Sequence, residues 1–169
     1  MTLLPRKALT LTSVALVVLG ICLSKSESQT RTATIPKGLT GVWVLRSYYR
    51  TSNIWGISLK QARSLVGSKV VFGEGALSAC KQHVVIQDVE QRDVLPAQFL
   101  EGNLVRFSEV GISGSTIHEI TLNGNAGGNC FGTYALPGED VFVKGPNELL
   151  VDFEGVYFRA TRIAARDSR

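Results

Sequence analysis

This sequence predicts an all-β fold, an antiparallel up-and-down β-barrel of about eight strands with one short helix. Three observations predict it. Alternating patterns open at Gly41-Val42-Trp43-Val44-Leu45-Arg46-Ser47-Tyr48-Tyr49 and return at Gly155 to Arg162. Between them, short strand-like segments recur about every 8–12 residues, each punctuated by Gly, Asn or Pro, as in sandwiches and barrels rather than strand–helix–strand units. Only one segment carries a convincing helical period. The first and last strands are expected to lie side by side and close the cylinder.

Residues 1–26 read as a signal peptide: Arg6 and Lys7 precede an apolar stretch from Ala8 to Leu23, and no acid occurs before Glu27. That stretch falls short of the ~18–20 residues of a spanning helix. An uncleaved membrane anchor is the second reading, and it is the only membrane link expected. Residues 27–38 are polar, contain Pro36 and read as a linker; residues 39–163 form the barrel; residues 164–169 form a polar tail.

The charge of the whole chain misleads. Lys plus Arg number 18 and Asp plus Glu 14, but Arg6, Lys7 and Lys25 sit in the leader, so from Glu27 onward the net charge is +1. Phosphate binding needs clustered, uncompensated basic charge, so a nucleic-acid partner is not expected. Arg159, Arg162, Arg166 and Arg169 approach the C-terminal end, where a solvated tail accounts for the last two. Of three cysteines, Cys22 leaves with the leader. Cys80 and Cys130 are expected to pair in an oxidising compartment, closing a loop of about 50 residues that contributes on the order of 4 kcal/mol. Export to the periplasm or beyond follows.

Taken in order, the first strand places Trp43, Leu45, Ser47 and Tyr49 on one face and Val42, Val44, Arg46 and Tyr48 on the other, the first set facing inward. Ser58 to Gly67 is the helix: Ser58 caps it, Gln61 completes a capping box, and Leu59, Ala62, Leu65 and Val66 make one apolar stripe. Strands are then expected at 69–72, 84–89, 98–100, 104–108, 116–122, 130–136, 140–144, 149–153 and 156–162. Gly102-Asn103 and Pro137-Gly138 read as tight hairpins, and Asn123 to Asn129 as a glycine-rich rim loop.

No constellation for catalysis emerges. Ser78, His83 and Asp88 make a triad only on paper, without the elbow that presents a nucleophile. His118 and Glu119 alternate along one strand and so point to opposite faces, unable to chelate one metal. Glu139-Asp140 and Asp152 with Glu154 read as solvated turn acids, lacking the alternating oxygen ligands of a calcium loop. The glycine-rich loop has no following Lys-Ser/Thr for phosphate. No metal, cofactor or enzymatic activity is expected.

With its ends placed, the chain resembles the lipocalin-like (calycin) architecture, in which Gly-x-Trp opens the first strand and a late arginine packs across the indole. Gly41-Val42-Trp43 carries the motif. The resemblance implies that Arg159 or Arg162 covers Trp43, with Arg162 preferred because the strand's end would lie near the start of the first. It departs from that pattern in lacking a long helix after the last strand and in its early helix. The chain also resembles small secreted bacterial domains that start with Gly-x-Trp and close on a strand like Glu154-Gly155-Val156-Tyr157-Phe158.

Two functions are expected of such a chain. The first is a non-enzymatic binding module holding a small apolar ligand in the barrel, contacted by Trp43, Tyr49, Trp55 and Phe153. The second is a periplasmic protein-interaction module, an inhibitor or envelope-assembly factor, acting through its loops or outer face.

Overall fold

The computed structural model describes residues 32–124 and 128–163; the expected signal peptide, the tail from 164 and residues 125–127 of the rim loop lie outside them. The described chain forms a closed antiparallel barrel in which each strand pairs with its sequence neighbours and the last with the first. The strands are β1 Gly41–Tyr48, β2 Lys69–Phe72, β3 Ala76–Ala79, β4 Gln82–Val94, β5 Ile117–Gly124, β6 Asp140–Gly145, β7 Glu148–Phe153 and β8 Val156–Arg162. The seam closes as expected, with Trp43 opposite Arg162, Leu45 opposite Ala160 and Tyr48 opposite Phe158.

The period of two along each strand sorts residues between inside and outside. Residues directly opposite share a face, and the pairs Phe72–Leu77, Leu77–Val84, Val89–Leu122, Ile120–Val141, Val141–Val151 and Val151–Phe158 run round the barrel. They belong to one apolar cluster, the interior. Closure pairs every strand on both sides, although β2 and β3 are joined only at Val71–Ser78 and Phe72–Leu77.

Two hairpins turn on consecutive residues in the left-handed region, Cys80-Lys81 and Glu154-Gly155. That backbone is the type I′ turn, whose twist matches the flanking strands. Helix α1, Leu59–Leu65, begins with the predicted capping box: Gln61 N donates to Ser58 Oγ, and Ser58 N donates to Gln61 Oε1 at 2.8 Å. Ala62 and Leu65 are its buried face, packed into the interior cluster.

A second apolar cluster lies outside the barrel. Phe142, Leu150 and Tyr157 project outward from β6, β7 and β8, and are buried by the β4–β5 connection through Phe99, Val105, Phe107 and Val110. Here the expected strands at 98–100 and 104–108 are corrected. Residues Pro96–Asn103 form helix α2, and Phe107–Val110 form a 3₁₀ turn. Proline at the first helical turn loses no needed N–H, and Gln98 Oε1 accepts from Leu95 N at 3.0 Å to cap the start. Gly102-Asn103 is therefore the last turn of a helix, ended by Leu104 at φ 57°. The 130–136 strand is also corrected: Phe131 and Gly132 are both left-handed, leaving a single Cys130–Thr133 bridge, so Pro137-Gly138 is no hairpin. The strand at 76–79 escaped prediction because Ala-Leu-Ser-Ala offers little of the branched and aromatic bulk that marks strands.

Of the expected 27–38 linker, residues 27–31 lie outside the described residues, and 32–38 with Leu39 and Thr40 are held against the barrel. Ala33 N donates to Ile86 O at 2.8 Å and Ile35 N to Glu74 O at 3.1 Å. Ile35 and Leu39 are each 1 % exposed in the interior cluster. Among the described residues no helix is long and apolar enough to cross a membrane.

Candidate functional site

The floor of the barrel is built around Trp43. Its indole is fully buried, and Nε1 donates to Leu39 O at 2.8 Å, tying strand β1 to the segment beneath it. The Arg162 guanidinium stands 4.3 Å from the ring centroid. Its outer nitrogens donate to Thr40 O and Gly38 O, and Nε donates to Pro146 O at 3.3 Å. A planar cation over an indole contributes about 0.5–2 kcal/mol, and the fork also satisfies carbonyls that the strand ends leave unpaired. Gly41 is the necessary partner: φ is 133°, and a Cβ there would stand 2.8 Å from Arg162 Nη1. Of the two arginines, Arg159 lies elsewhere. It is exposed on the outer face and donates to Glu148 at 2.8 Å, a carboxylate that Lys144 also reaches at 3.2 Å.

Of the remaining aromatic residues expected around a ligand, Phe153 and Trp55 reach the interior cluster and Tyr49 does not. Trp55 lies beyond the far end of β1, half-buried, its ring edge-on to Tyr48 with centroids 5.9 Å apart. Trp55 Nε1 donates to Thr51 Oγ1 at 3.1 Å. Tyr49 packs on the outer cluster, under Lys144 Nζ at 5.5 Å from its ring. Phe153 is buried in the interior cluster beside the β7–β8 hairpin. Trp43 and Phe153 thus belong to the interior cluster, Trp55 packs against it from the rim, and Tyr49 lies on the outer cluster.

At the mouth, the β5–β6 connection folds back over the opening. Leu136, Pro137 and Gly138 are all buried, and Leu136 belongs to the interior cluster. Gly138 has φ 106°, and a Cβ built on it would lie 2.8 Å from Val70 and 3.1 Å from both Phe72 and Leu77. Those three are inward residues, so the backbone itself enters the barrel where a side chain would not fit. The Cys80–Cys130 disulfide fastens this connection to the β3–β4 hairpin. Glu139 Oε1 accepts from Leu136 N at 3.1 Å and holds its far side. The sequence signal missed here was Pro137-Gly138, read as a turn between strands when it is the tip of a plug.

Outside this plug lies a cleft of about 590 Å³ lined by Ser64, Leu65, Lys69, Cys80, Lys81, Cys130 and Phe131, with Ser68 and Asn129. Two aromatics stand on the same connection with their rings toward solvent, Phe131 at 44 % exposure and Tyr134 at 88 %. The pairing of β2 with β3 stops at Val71–Ser78, so Lys69 and Cys80 part company at the edge of the cleft.

On the other side of the mouth, Glu139, Asp140, Asp152 and Glu154 line a smaller cleft of about 290 Å³. Burial and the facing Asp140 push the Asp152 carboxyl up to about 6. Burial likewise raises Asp140 and Glu139. Asp152 accepts from Gly155 N at 3.1 Å and Asp140 from Thr121 Oγ1 at 2.8 Å, so these groups fix turns and strand ends. Tyr157 is raised by burial and by Asp152, and its hydroxyl donates to Asn103 Oδ1 at 2.8 Å. Among the described residues no three His, Cys, Asp or Glu side chains are arranged to hold a metal ion.

His118 and Glu119 face opposite ways: the histidine meets Asp93 at 2.9 Å, and the glutamate pairs with Arg92. Ser78 Oγ and His83 Nδ1 are 2.9 Å apart on adjacent strands. Asp88 lies five residues further along β4, opposite Asn123. At about 3.3 Å per residue, it stands well away from that pair. Comparison of the chain with protein-family models, with curated proteins and with solved structures finds no match.

Proposed function

We propose that this chain is an exported, non-enzymatic binding module that acts on another protein through its outer surface at the mouth. The observation that carries the reading is the plugged interior. Trp43, Leu45, Phe72, Leu77 and Phe158 fill it with at most 1 % exposure each, and Leu136 to Gly138 close the opening. Apolar surface left in water beside a cleft marks contact with a partner. Phe131 and Tyr134 supply that surface on a connection already stiffened by a disulfide, so little ordering entropy is lost on binding. The disulfide also supports an oxidising compartment, periplasmic or secreted, with an envelope protein as partner. The eight-stranded barrel, the Gly-x-Trp start and Arg162 over Trp43 support a lipocalin-like ancestry.

The test is chemical cross-linking in envelope preparations from the host. Wild-type protein is expected to give a discrete adduct that Phe131→Ala with Tyr134→Ser abolishes and Ile54→Ser leaves intact. Ile54 is the control because it is 91 % exposed yet belongs to another loop. An adduct indifferent to the first pair, or none, overturns the reading.

A second reading, a small apolar ligand inside the barrel, is favoured by one observation: the wall behind the plug is continuously apolar from Val70 through Phe158. It requires the 128–139 connection to withdraw. Native mass spectrometry of protein from its own host, showing a retained small molecule, is the result that would establish it over the first.

A further inference from the structure

We propose that the cleft beside the disulfide docks an extended, acidic peptide segment of the partner, with one apolar side chain anchored between Leu65 and Phe131. This rests on the outer-surface reading and names the chemistry of its partner. Four features of the cleft converge on it.

The first is shape. A concave space of about 590 Å³ holds a side chain and the backbone either side of it, whereas a flat membrane surface needs a convex patch. The second is charge. Lys69 and Lys81 both line the cleft, both are exposed, and among the described residues neither is in an ion pair. The residues lining this cleft include no Asp or Glu, while Glu139, Asp140, Asp152 and Glu154 line the other cleft of the mouth, so the docking side carries a local positive charge that an acidic segment would meet.

The third is strain. Phe131 has φ 61°, a conformation costly for an aromatic residue, and this backbone holds its half-exposed ring at the edge of the cleft. A ring serving only the core would be buried, and none of the interior contacts needs it. The fourth is the backbone. Where β2 and β3 separate beyond Val71 and Ser78, the ladder between them ends. An extended chain lying there meets main-chain groups free of that ladder, the mode by which peptides add to sheets. Asn129 adds a side-chain amide: its Oδ1 accepts from Gly132 N, and among the described residues its NH₂ has no hydrogen-bond partner.

The experiment titrates the full, oxidised chain, observed by amide NMR shifts, with acetyl-Glu-Asp-Phe-Asp-Glu-amide. Parallel titrations use the same peptide with Lys in place of its acids, the same peptide with Gly in place of Phe, and phosphatidylglycerol vesicles. The expected result is saturable shifts confined to 64–69, 80–81 and 129–131 with the acidic Phe peptide, and none with the basic one. Lys69→Glu with Lys81→Glu should raise Kd about tenfold or more, and so should added salt in part. Phe131→Ala, or the Gly peptide, should weaken binding similarly. Equal binding of the basic peptide, shifts elsewhere on the barrel, or Lys-dependent binding to vesicles without peptide binding would each overturn the proposal. If the peptide fails while the cross-linked adduct still depends on Phe131 and Tyr134, only the acidic partner is refuted; if both fail, the outer-surface reading falls with it.

Discussion

The two ends of this barrel are shut by different means. At the floor, a buried indole, a guanidinium and the segment from Ile35 to Thr40 interlock through hydrogen bonds to main-chain carbonyls. At the mouth, a connection carrying Leu136 to Gly138 is laid across the opening and fastened by one covalent bond. The floor is non-covalent and distributed over many contacts. The mouth is local: Leu136 and Gly138 seat the connection in the barrel and one disulfide tethers it. The difference separates roles: the floor stabilises the fold, while the mouth presents exposed aromatics, the larger of its two clefts and two lysines that form no ion pair among the described residues.

Mutation should break these ends unequally. Trp43→Ala removes the largest fully buried side chain and leaves a cavity under Arg162, and its expected cost is about 3–5 kcal/mol in denaturant unfolding. Cys80→Ser with Cys130→Ser should cost about 2–4 kcal/mol through the longer loop left open in the unfolded chain. Its local signature sharpens the contrast: hydrogen exchange should rise in 128–139 and not in 35–43. Uniform loss of protection across both ends would break the distinction.

A smaller effect concerns the acid side of the mouth. Asp152 titrates near 6 in the fold and near its ordinary 3.8 in the unfolded chain. Because its folded value is the higher one, the unfolded state gives up the proton first as pH rises. This group's contribution is therefore best below about 4 and is lost as pH rises from there through 6, by about 1–3 kcal/mol. Asp152→Asn keeps an oxygen for Gly155 N and should flatten that slope while stabilising the protein at pH 7. An unchanged slope would show that the carboxylate is freely hydrated. Smaller still is Arg162→Lys, which keeps the charge but loses the fork across Trp43, at about 1 kcal/mol. Arg159→Lys, on the exposed face, should change stability by less than about half of that.

What could be read from the sequence follows the same division. Gly41 and Trp43 stand in a Gly-x-Trp pattern at the start of the first strand and Arg162 at the end of the last, so the floor and the seam of the barrel were legible. The helix at 59–65 was legible because Ser58 and Gln61 satisfy each other locally. The β4–β5 connection was not. In a window as short as Gln98 to Leu100, strand and helix patterns coincide, and the deciding contact is Phe99 against Phe142 and Tyr157, more than forty residues away. The plug was hidden for the same reason. Nothing near Pro137-Gly138 states that Val70, Phe72 and Leu77 will surround it. Of the four aromatics expected at one ligand, Trp43 and Phe153 lie in the interior cluster and Trp55 against it, while Tyr49 lies on the outer cluster.

The most direct test of a self-filled barrel is titration of the oxidised protein with a fluorescent fatty acid, with Cys80→Ser/Cys130→Ser alongside. A barrel occupied by its own Leu136-Pro137-Gly138 predicts no saturable uptake by the oxidised protein, and uptake only once the tether is cut. Saturable one-to-one uptake with the disulfide intact would contradict it.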